Sequence, residues 1–299
     1  MAQTGNGGLG YFHMERNTKV MSAEHYENYS VLMSVYYKEK PEYLRQAMDS
    51  MIHQTVPTDD FVLVCDGPLT ADLDAVIAEK QQELGTILNV VRLEKNGGLG
   101  NALNEGIKHC RHELIARMDS DDISYPDRCE KQMKLFEKHP EYDVISGTVV
   151  EFNEKQKKSK IQKKVPENQR EILNYSKRRN PVNHPCVMYK KDAVIKVGNY
   201  QTFFYLEDYF LWIRMLKNGY IFYNTPEVLL NMRTDDNLYE RRGGIQYFKS
   251  IAKLRKYMYK ENFINLLEFI VYSILQLIVC LIPNKLRKII YMFFLRSKE

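Results

Sequence analysis

With 299 residues and 44 % hydrophobic side chains, the chain can bury a sizeable core and suits one large α/β domain with an appendage. Its five cysteines are odd in number, scattered and free of any C-x-x-C pair, which speaks against a disulfide framework or a cysteine zinc site and for a reducing compartment. The formal charge of +5 hides an asymmetry: residues 241–299 hold 12 Lys and Arg against 3 Asp and Glu, leaving 31 and 35 of the chain's 43 and 38 in residues 1–240, a net of −4 there.

The first 28 residues, with Gly5-Asn6-Gly7-Gly8-Leu9-Gly10, are polar and unpatterned. They are expected to form a disordered leader, and no secretory signal is read in them. Tyr29 to Tyr37 is β-branched, aromatic and apolar, the pattern of a buried strand. Pro41 then opens a helix whose Leu44, Ala47, Met48, Met51 and Ile52 recur at helical spacing. Phe61 to Cys65 reads as a second strand, ending at the turn Asp66-Gly67-Pro68. A helical stretch from Leu69 to Leu84 leads to a third strand, Ile87 to Leu93. The glycine-bearing segment Lys95 to Asn101 opens a helix running through Cys110, and Leu114 to Met118 is a fourth strand.

That fourth strand delivers Asp119-Ser120-Asp121-Asp122. Carboxylates crowded at a strand end repel one another and resist desolvation unless something offsets their charge. A hard divalent cation, Mn²⁺ or Mg²⁺, would do so through oxygen ligands. Taken alone, the stretch equally suits a turn that starts a helix at Pro126. Strand and helix have alternated four times with short connections, the signature of a mostly parallel sheet with helices on both faces. Three strand ends carry polar chemistry, at Ser34/Tyr36, Asp66 and Asp119/Asp121, where open α/β sheets bind their ligands.

Further along, residues 126–139 read as a helix and Asp143 to Phe152 as a strand. Glu154 to Lys164, rich in lysine, reads as a solvated loop, and Glu167 to Lys177 as a helix. Phe203-Phe204-Tyr205-Leu206-Glu207-Asp208-Tyr209 enters another helix that ends near Asn218. Asp208 in its first turn suits a helix cap as well as a functional carboxylate.

Ser34-Val35-Tyr36, Val64-Cys65-Asp66-Gly67, Asn96-Gly97-Gly98-Leu99-Gly100-Asn101-Ala102-Leu103-Asn104-Glu105-Gly106, Asp119-Ser120-Asp121-Asp122 and Glu207-Asp208 occur in this order. In that, residues 29–240 resemble family 2 glycosyltransferases, inverting nucleotide-sugar-dependent enzymes of the GT-A fold. With Asn180-Pro181-Val182-Asn183-His184 and the tail, the chain is similar to bacterial capsule, exopolysaccharide and O-antigen transferases. The resemblance implies that Ser34, Tyr36 and Asp66 hold the nucleobase, that Asn96, Gly98 and Asn101 line the donor pocket, and that Asp119 reaches the ribose. It further implies that Asp121, with Asp119, binds the metal, that Asp208 is the general base and that Glu207 faces the acceptor. Where many relatives carry Arg, this chain has Leu103 before Asn104, which removes a phosphate or base contact from that position. His184, between residues of a proline-bearing loop, is a candidate acceptor contact or a structural ring.

Asn237 to Gly244 reads as a basic, glycine-bearing hinge, in which Arg241 or Arg242 would neutralise the leaving diphosphate as the segment closes over the donor. Residues 241–299 then read as basic amphipathic helices. Ile245, Phe248, Ile251, Leu254 and Met258 form an apolar stripe, and Leu266 to Ile282 is apolar with a polar stripe of Asn265, Glu268, Tyr272 and Gln276. At 17 residues the second run sits at the lower limit of a span. Basic and aromatic flanks favour an element lying in the membrane interface through residues 245–299, with a span or a packed cap as alternatives. No nucleic-acid-binding signature accompanies the charge. The expectation is therefore a peripheral enzyme of the inner membrane face that moves a hexosyl unit from a UDP-sugar to a lipid-linked oligosaccharide. A sugar-phosphate nucleotidyltransferase would open with a Gly-rich loop after strand one, where Tyr36-Tyr37-Lys38-Glu39-Lys40 has no glycine. A non-catalytic, membrane-bound sugar-binding subunit has no need of Asp121 and Asp208 together.

Overall fold

The computed structural model describes residues 28–153, 161–234, 243–283 and 297–298. Its first half follows the alternation: β1 (Tyr29–Val35), α1 (Pro41–Ile52), β2 (Asp60–Cys65), α2 (Ala71–Leu84), β3 (Leu88–Arg92), α3 (Leu99–His109) and β4 (Leu114–Asp119). The four strands are parallel in the spatial order β3-β2-β1-β4, with Val35 beside Cys65 and Ser34 beside Asp119. This register brings the carboxyl ends of β1, β2 and β4 to one edge of the sheet.

Strand periodicity divides the side chains between two cores. Val31, Met33 and Val35 of β1 pack with Leu44 and Met48 of α1 and Ile77 of α2, whereas Leu32, Val62 and Val64 face Ala102, Leu103 and Ile107 of α3. Each such Val, Leu, Ile or Met side chain, fully withdrawn from water, contributes about 1.5–3 kcal/mol. Gly106 lets α3 lie close on the sheet, since a Cβ there would meet Leu32 Cδ1 at 2.3 Å.

The second half is less regular: β5 (Ile123–Ser124), α4 (Arg128–Lys138), β6 (Val144–Phe152), β7 (Ile161–Lys163), α5 (Gln169–Ser176), β8 (Met188–Lys190), α6 (Lys191–Lys196), α7 (Glu207–Lys217) and β9 (Phe222–Arg233). The short β8 joins β4 to β6, antiparallel to both. The long β9 runs parallel to β6 past a bulge near Thr148 and pairs with β5. The Lys-rich stretch expected to be a loop contains β7, antiparallel to β6, at its end; residues 154–160 lie outside the described residues. With α4 on the α1 face and α5, α6 and α7 on the α3 face, helices cover both sides of a mostly parallel sheet.

The C-terminal helices, α8 (Gly244–Lys260) and α9 (Leu266–Leu281), differ from each other. Most of the apolar stripe of α8 is turned inward: Ile251, Leu254 and Met258 are buried in a cluster with Phe210 and Ile213 of α7, while Ile245 at the helix start is exposed. That corrects the expectation of a lipid-facing surface over the whole of residues 245–299, because the burial of large aromatics on α7 claims this face first. On α9 only Cys280 is buried, and Leu267 and Leu281 are 70 % and 71 % exposed. Asn265 and Glu268 form a capping box at its start. No helix among the described residues is long and apolar enough to cross a membrane. Residues 1–27 of the leader and the junction at residues 240 and 241, Arg242 included, lie outside the described residues. All five cysteines are free and buried.

Candidate active site

A cleft of about 770 Å³ opens at the carboxyl edge of β1, β2 and β4. Its lining includes Ser34, Tyr36, Asp66, Asn96, Gly98, Asp119 and Asp121, seven residues singled out from the sequence. Tyr36 is 42 % exposed, with its ring edge-on to Tyr37.

Asp66 is buried, and both its oxygens are engaged by the glycine segment. The Gly97 and Gly98 amides donate to Oδ1 and Oδ2 at 2.7 and 3.0 Å, while the Asn96 amide group donates to the Asp66 carbonyl at 3.0 Å. Gly67 makes this approach possible: its φ is +86°, and a Cβ would sit 2.6 Å from the Asn96 nitrogen. Asp66 therefore shapes the cleft wall as well as lining it. Asn101 does not line the cleft; its side-chain amide packs where a Gly97 Cβ would be. Leu103 is fully buried in the α3 core, so the departure at this position is a core residue.

Asp119, Asp121 and Asp122 bring carboxylate oxygens within 4.8 Å of one another. Beneath them lies Arg117, 1 % exposed, whose guanidinium grips the Asp119 carboxylate with both terminal nitrogens. Burial alone would weaken this guanidinium's hold on its proton; the Asp119 charge reverses that and raises its pKa. Asp121 has no such partner among the described residues. Burial, then the charges of Asp119 and Glu39, push its carboxyl up to about 7. Asp122 is buried, also raised by desolvation and then by Asp121, and accepts the Arg233 backbone amide at 2.7 Å. The donor set is all hard oxygen with charge to spare, which fits a divalent cation.

Several contributors escaped the sequence reading. Lys38, Glu39, Tyr43, Asn153, Arg233 and Thr234 also line the cleft. Arg233, at the end of β9, donates through Nε to the Asp121 carbonyl at 2.8 Å and stacks its guanidinium on the Tyr43 ring at 3.8 Å. It clasps the acidic turn from the far side of the chain. Arg117 was detectable: a lone arginine in an apolar strand, two residues before Asp119, must share its face.

Glu207 and Asp208 start α7 beside the start of α3, where a Cβ on Gly100 would lie 3.3 Å from Glu207 Cγ. Asp208 is half-buried; Asn180 donates to its Oδ2 at 2.6 Å and the Tyr209 amide to its Oδ1 at 2.7 Å. Burial raises its pKa above the usual carboxylate range in spite of these hydrogen bonds, and burial followed by the Asp208 charge does the same to Glu207. His184 is placed differently from the acceptor-contact expectation. It is 8 % exposed, its Nε2 pairs with the Tyr200 hydroxyl at 3.0 Å, and burial and Arg117 hold it neutral. Tyr200 in turn is fixed by Asn104 of α3 through both its backbone groups. The ring is a support between Trp212 and Tyr200, because the apolar packing of α7 encloses it.

A lone acidic turn is common, but the sequence and the fold that carry it here have relatives among known proteins. The chain is 38 % identical to the amylovoran biosynthesis glycosyltransferase AmsE of Erwinia amylovora, over 88 % of this chain and 97 % of that protein. It is also 38 % identical to the UDP-Gal:alpha-D-GlcNAc-diphosphoundecaprenol beta-1,3-galactosyltransferase of Escherichia coli, over 88 % and 94 %. Among solved structures, a Pyrobaculum calidifontis mannosyltransferase in complex with GDP-Man and Mn²⁺ superposes with a TM-score of 0.59 at 15 % identity, covering 78 % of this chain and 64 % of that one, a likeness of fold alone. Residues 30–198, which hold the whole cleft edge of β1, β2 and β4, match the model of glycosyl transferase family 2, and the chain belongs to that family.

Proposed function

We propose that the protein is an inverting transferase that moves a hexosyl unit from a UDP-sugar to a lipid-linked oligosaccharide in bacterial surface-polysaccharide synthesis. The carrying observation is the carboxylate cluster, with Asp121 uncompensated, on the floor of a nucleotide-sized cleft at three parallel strand ends. The E. coli relative, named for a UDP-Gal donor and a diphosphoundecaprenol acceptor, supports the two substrate classes. The amylovoran relative supports the polysaccharide setting.

In this reading Tyr36 and Ser34 contact the nucleobase, and Asp66 holds the Gly97–Gly98 turn against it. Asp119, oriented by the bidentate Arg117, reaches the ribose and, with Asp121, would hold the cation. Mn²⁺ or Mg²⁺, when bound there, supplies Lewis-acid stabilisation of the departing diphosphate. Asp208 is the base, held by Asn180 so that one carboxylate edge stays directed at the acceptor. The acceptor hydroxyl oxygen forms its bond to the anomeric carbon while the bond to UDP breaks. The hydroxyl proton goes to Asp208, and attack from the opposite face inverts the centre. A carboxylate raised by burial suits this, since the hydroxyl becomes acidic only as it attacks. Glu207 contacts the acceptor sugar beside it, and Arg242 neutralises the leaving diphosphate. The exposed apolar face of α9 rests in the interface of the inner membrane leaflet, placing the enzyme peripherally on the cytoplasmic side.

The test is a UDP-release screen of common UDP-sugars with membrane-extracted lipid acceptors, in Mn²⁺ and in EDTA. Acceptor-dependent UDP release that needs the cation supports the reading; pyrophosphate release in place of UDP would assign a nucleotidyltransferase.

A further inference from the structure

Apart from the large cleft, a smaller pocket of about 340 Å³ lies between the end of α5, α8 and α9. Arg178, Arg179 and Arg255 converge on it with Tyr175, Tyr272 and Leu275. Arg255 is 6 % exposed, yet no carboxylate among the described residues pairs with it; its Nη1 donates only to the Tyr272 carbonyl. Arg178 and Arg179 likewise have no acidic partner among the described residues. The nearby Glu268 is taken by Lys177 at 2.9 Å. Three guanidinium groups around one cavity repel one another, and a buried one is costly to leave uncompensated. An arginine fork matches phosphate oxygens in shape and charge.

Two neighbours say which phosphate. Leu275, 55 % exposed, lines the pocket and belongs to the apolar face that α9 shows to solvent with Leu267, Ile274 and Ile278. An anion entering here thus has a greasy surface beside it. On the opposite side, Arg179 is followed directly by Asn180, which bonds Asp208, and Tyr209 donates to the Ser176 carbonyl at 2.5 Å. The pocket's Arg179 is therefore one residue along the chain from the hydrogen-bond partner of Asp208.

We propose that this arginine pocket binds the diphosphate of the lipid-linked acceptor, with the lipid chain along α9 and the sugar turned toward Asp208. The assignment rests on the glycosyl-transfer reading above for the acceptor's identity, but not for the binding of a lipid diphosphate. It implies that the sugar accepting the new residue lies next to the diphosphate, or within a residue or two of it.

The experiment uses the full chain and the variant Arg178→Gln/Arg179→Gln, whose side chains are exposed, with Arg255→Gln as a second variant checked by thermal melting. KM and kcat are measured for a short alkyl-diphosphate-linked sugar and for the same sugar as a neutral alkyl glycoside. Loss of one or two charge-assisted hydrogen bonds raises KM for the diphosphate acceptor by about 10–100-fold, while KM for the neutral glycoside and for the donor changes less than about twofold. Equal changes for both acceptors, or none, would overturn the assignment. So would loss of binding to phosphatidylglycerol vesicles with KM for the diphosphate acceptor intact, which would give the pocket to bilayer phosphate. Calorimetry with dodecyl diphosphate separates the two layers of the argument. Binding that weakens at least tenfold in the variant upholds the site even if no sugar transfer is found, and absence of binding to the wild type sinks it.

Discussion

Arg117→Met removes the cation under the carboxylate cluster while keeping much of the side-chain volume. Arg117 is 1 % exposed and bidentate to Asp119, whose side chain is 32 % exposed. Breaking a buried pair from one side typically costs about 3–5 kcal/mol, and the open side of Asp119 argues for the lower half of that range. A drop of roughly 3 kcal/mol, at about 2–4 °C per kcal/mol for a chain of this size, lowers the melting temperature by about 6–12 °C. The cost is electrostatic, so the double variant Arg117→Met/Asp119→Asn should recover most of it, whereas a packing loss would persist. Mn²⁺ should also stabilise Arg117→Met more than wild type, because it replaces a missing positive charge. Melting curves of the four-member cycle, with and without Mn²⁺, provide the measurement. A single variant within about 1 kcal/mol of wild type, or a double variant no better than the single, would refute the reasoning.

Asp208→Asn keeps the shape and one acceptor oxygen for Asn180 or the Tyr209 amide but removes the base, so kcat should fall by about 10²–10⁴-fold with UDP affinity, read by calorimetry, little changed. In the absence of metal, Asp121 carries a pKa near 7 where an unfolded aspartate lies near 4. The folded chain then binds more protons between those values, so stability without metal is lost as pH rises from about 4 through about 7. Stabilisation by Mn²⁺ should accordingly grow from pH 6 to pH 8, and a metal-induced melting shift independent of pH would contradict this. Gly67→Ala forces a Cβ into the Asn96 backbone at 2.6 Å and should weaken UDP binding, measured by calorimetry, more than it lowers the melting temperature. Replacing Leu267, Ile274 and Leu281 with Gln should weaken binding to anionic vesicles in sedimentation assays and leave transfer to a soluble acceptor intact.

The first four strands were legible because each is a short apolar run bounded by turn chemistry, and their polar ends fall into register as β1, β2 and β4. The cleft residues Ser34, Tyr36, Asp66, Asp119 and Asp121 followed from that order. What stayed hidden depends on distant pairing. β9 carries Pro226, Glu227 and Asn231 within its 12 residues, so no alternation marks it, and its stability comes from β6. Arg233 reaches Asp121 and Asp122 across more than a hundred residues of sequence. His184 drew attention through its residue type, yet its fate was decided by Trp212 and Tyr200, neither of which is near it in the chain. The apolar stripes of α8 and α9 look alike in sequence; only the partner surface on α7 distinguishes the packed one from the exposed one.

The most direct test is UDP release by the full chain with a UDP-hexose and a diphosphate-linked lipid acceptor, comparing wild type with Asp121→Ala and Asp208→Asn. The account predicts acceptor-dependent UDP release in Mn²⁺ for the wild type, none in EDTA or for Asp121→Ala, and release about 10²–10⁴-fold slower for Asp208→Asn. Wild-type release that persists undiminished in EDTA and in both variants would contradict it.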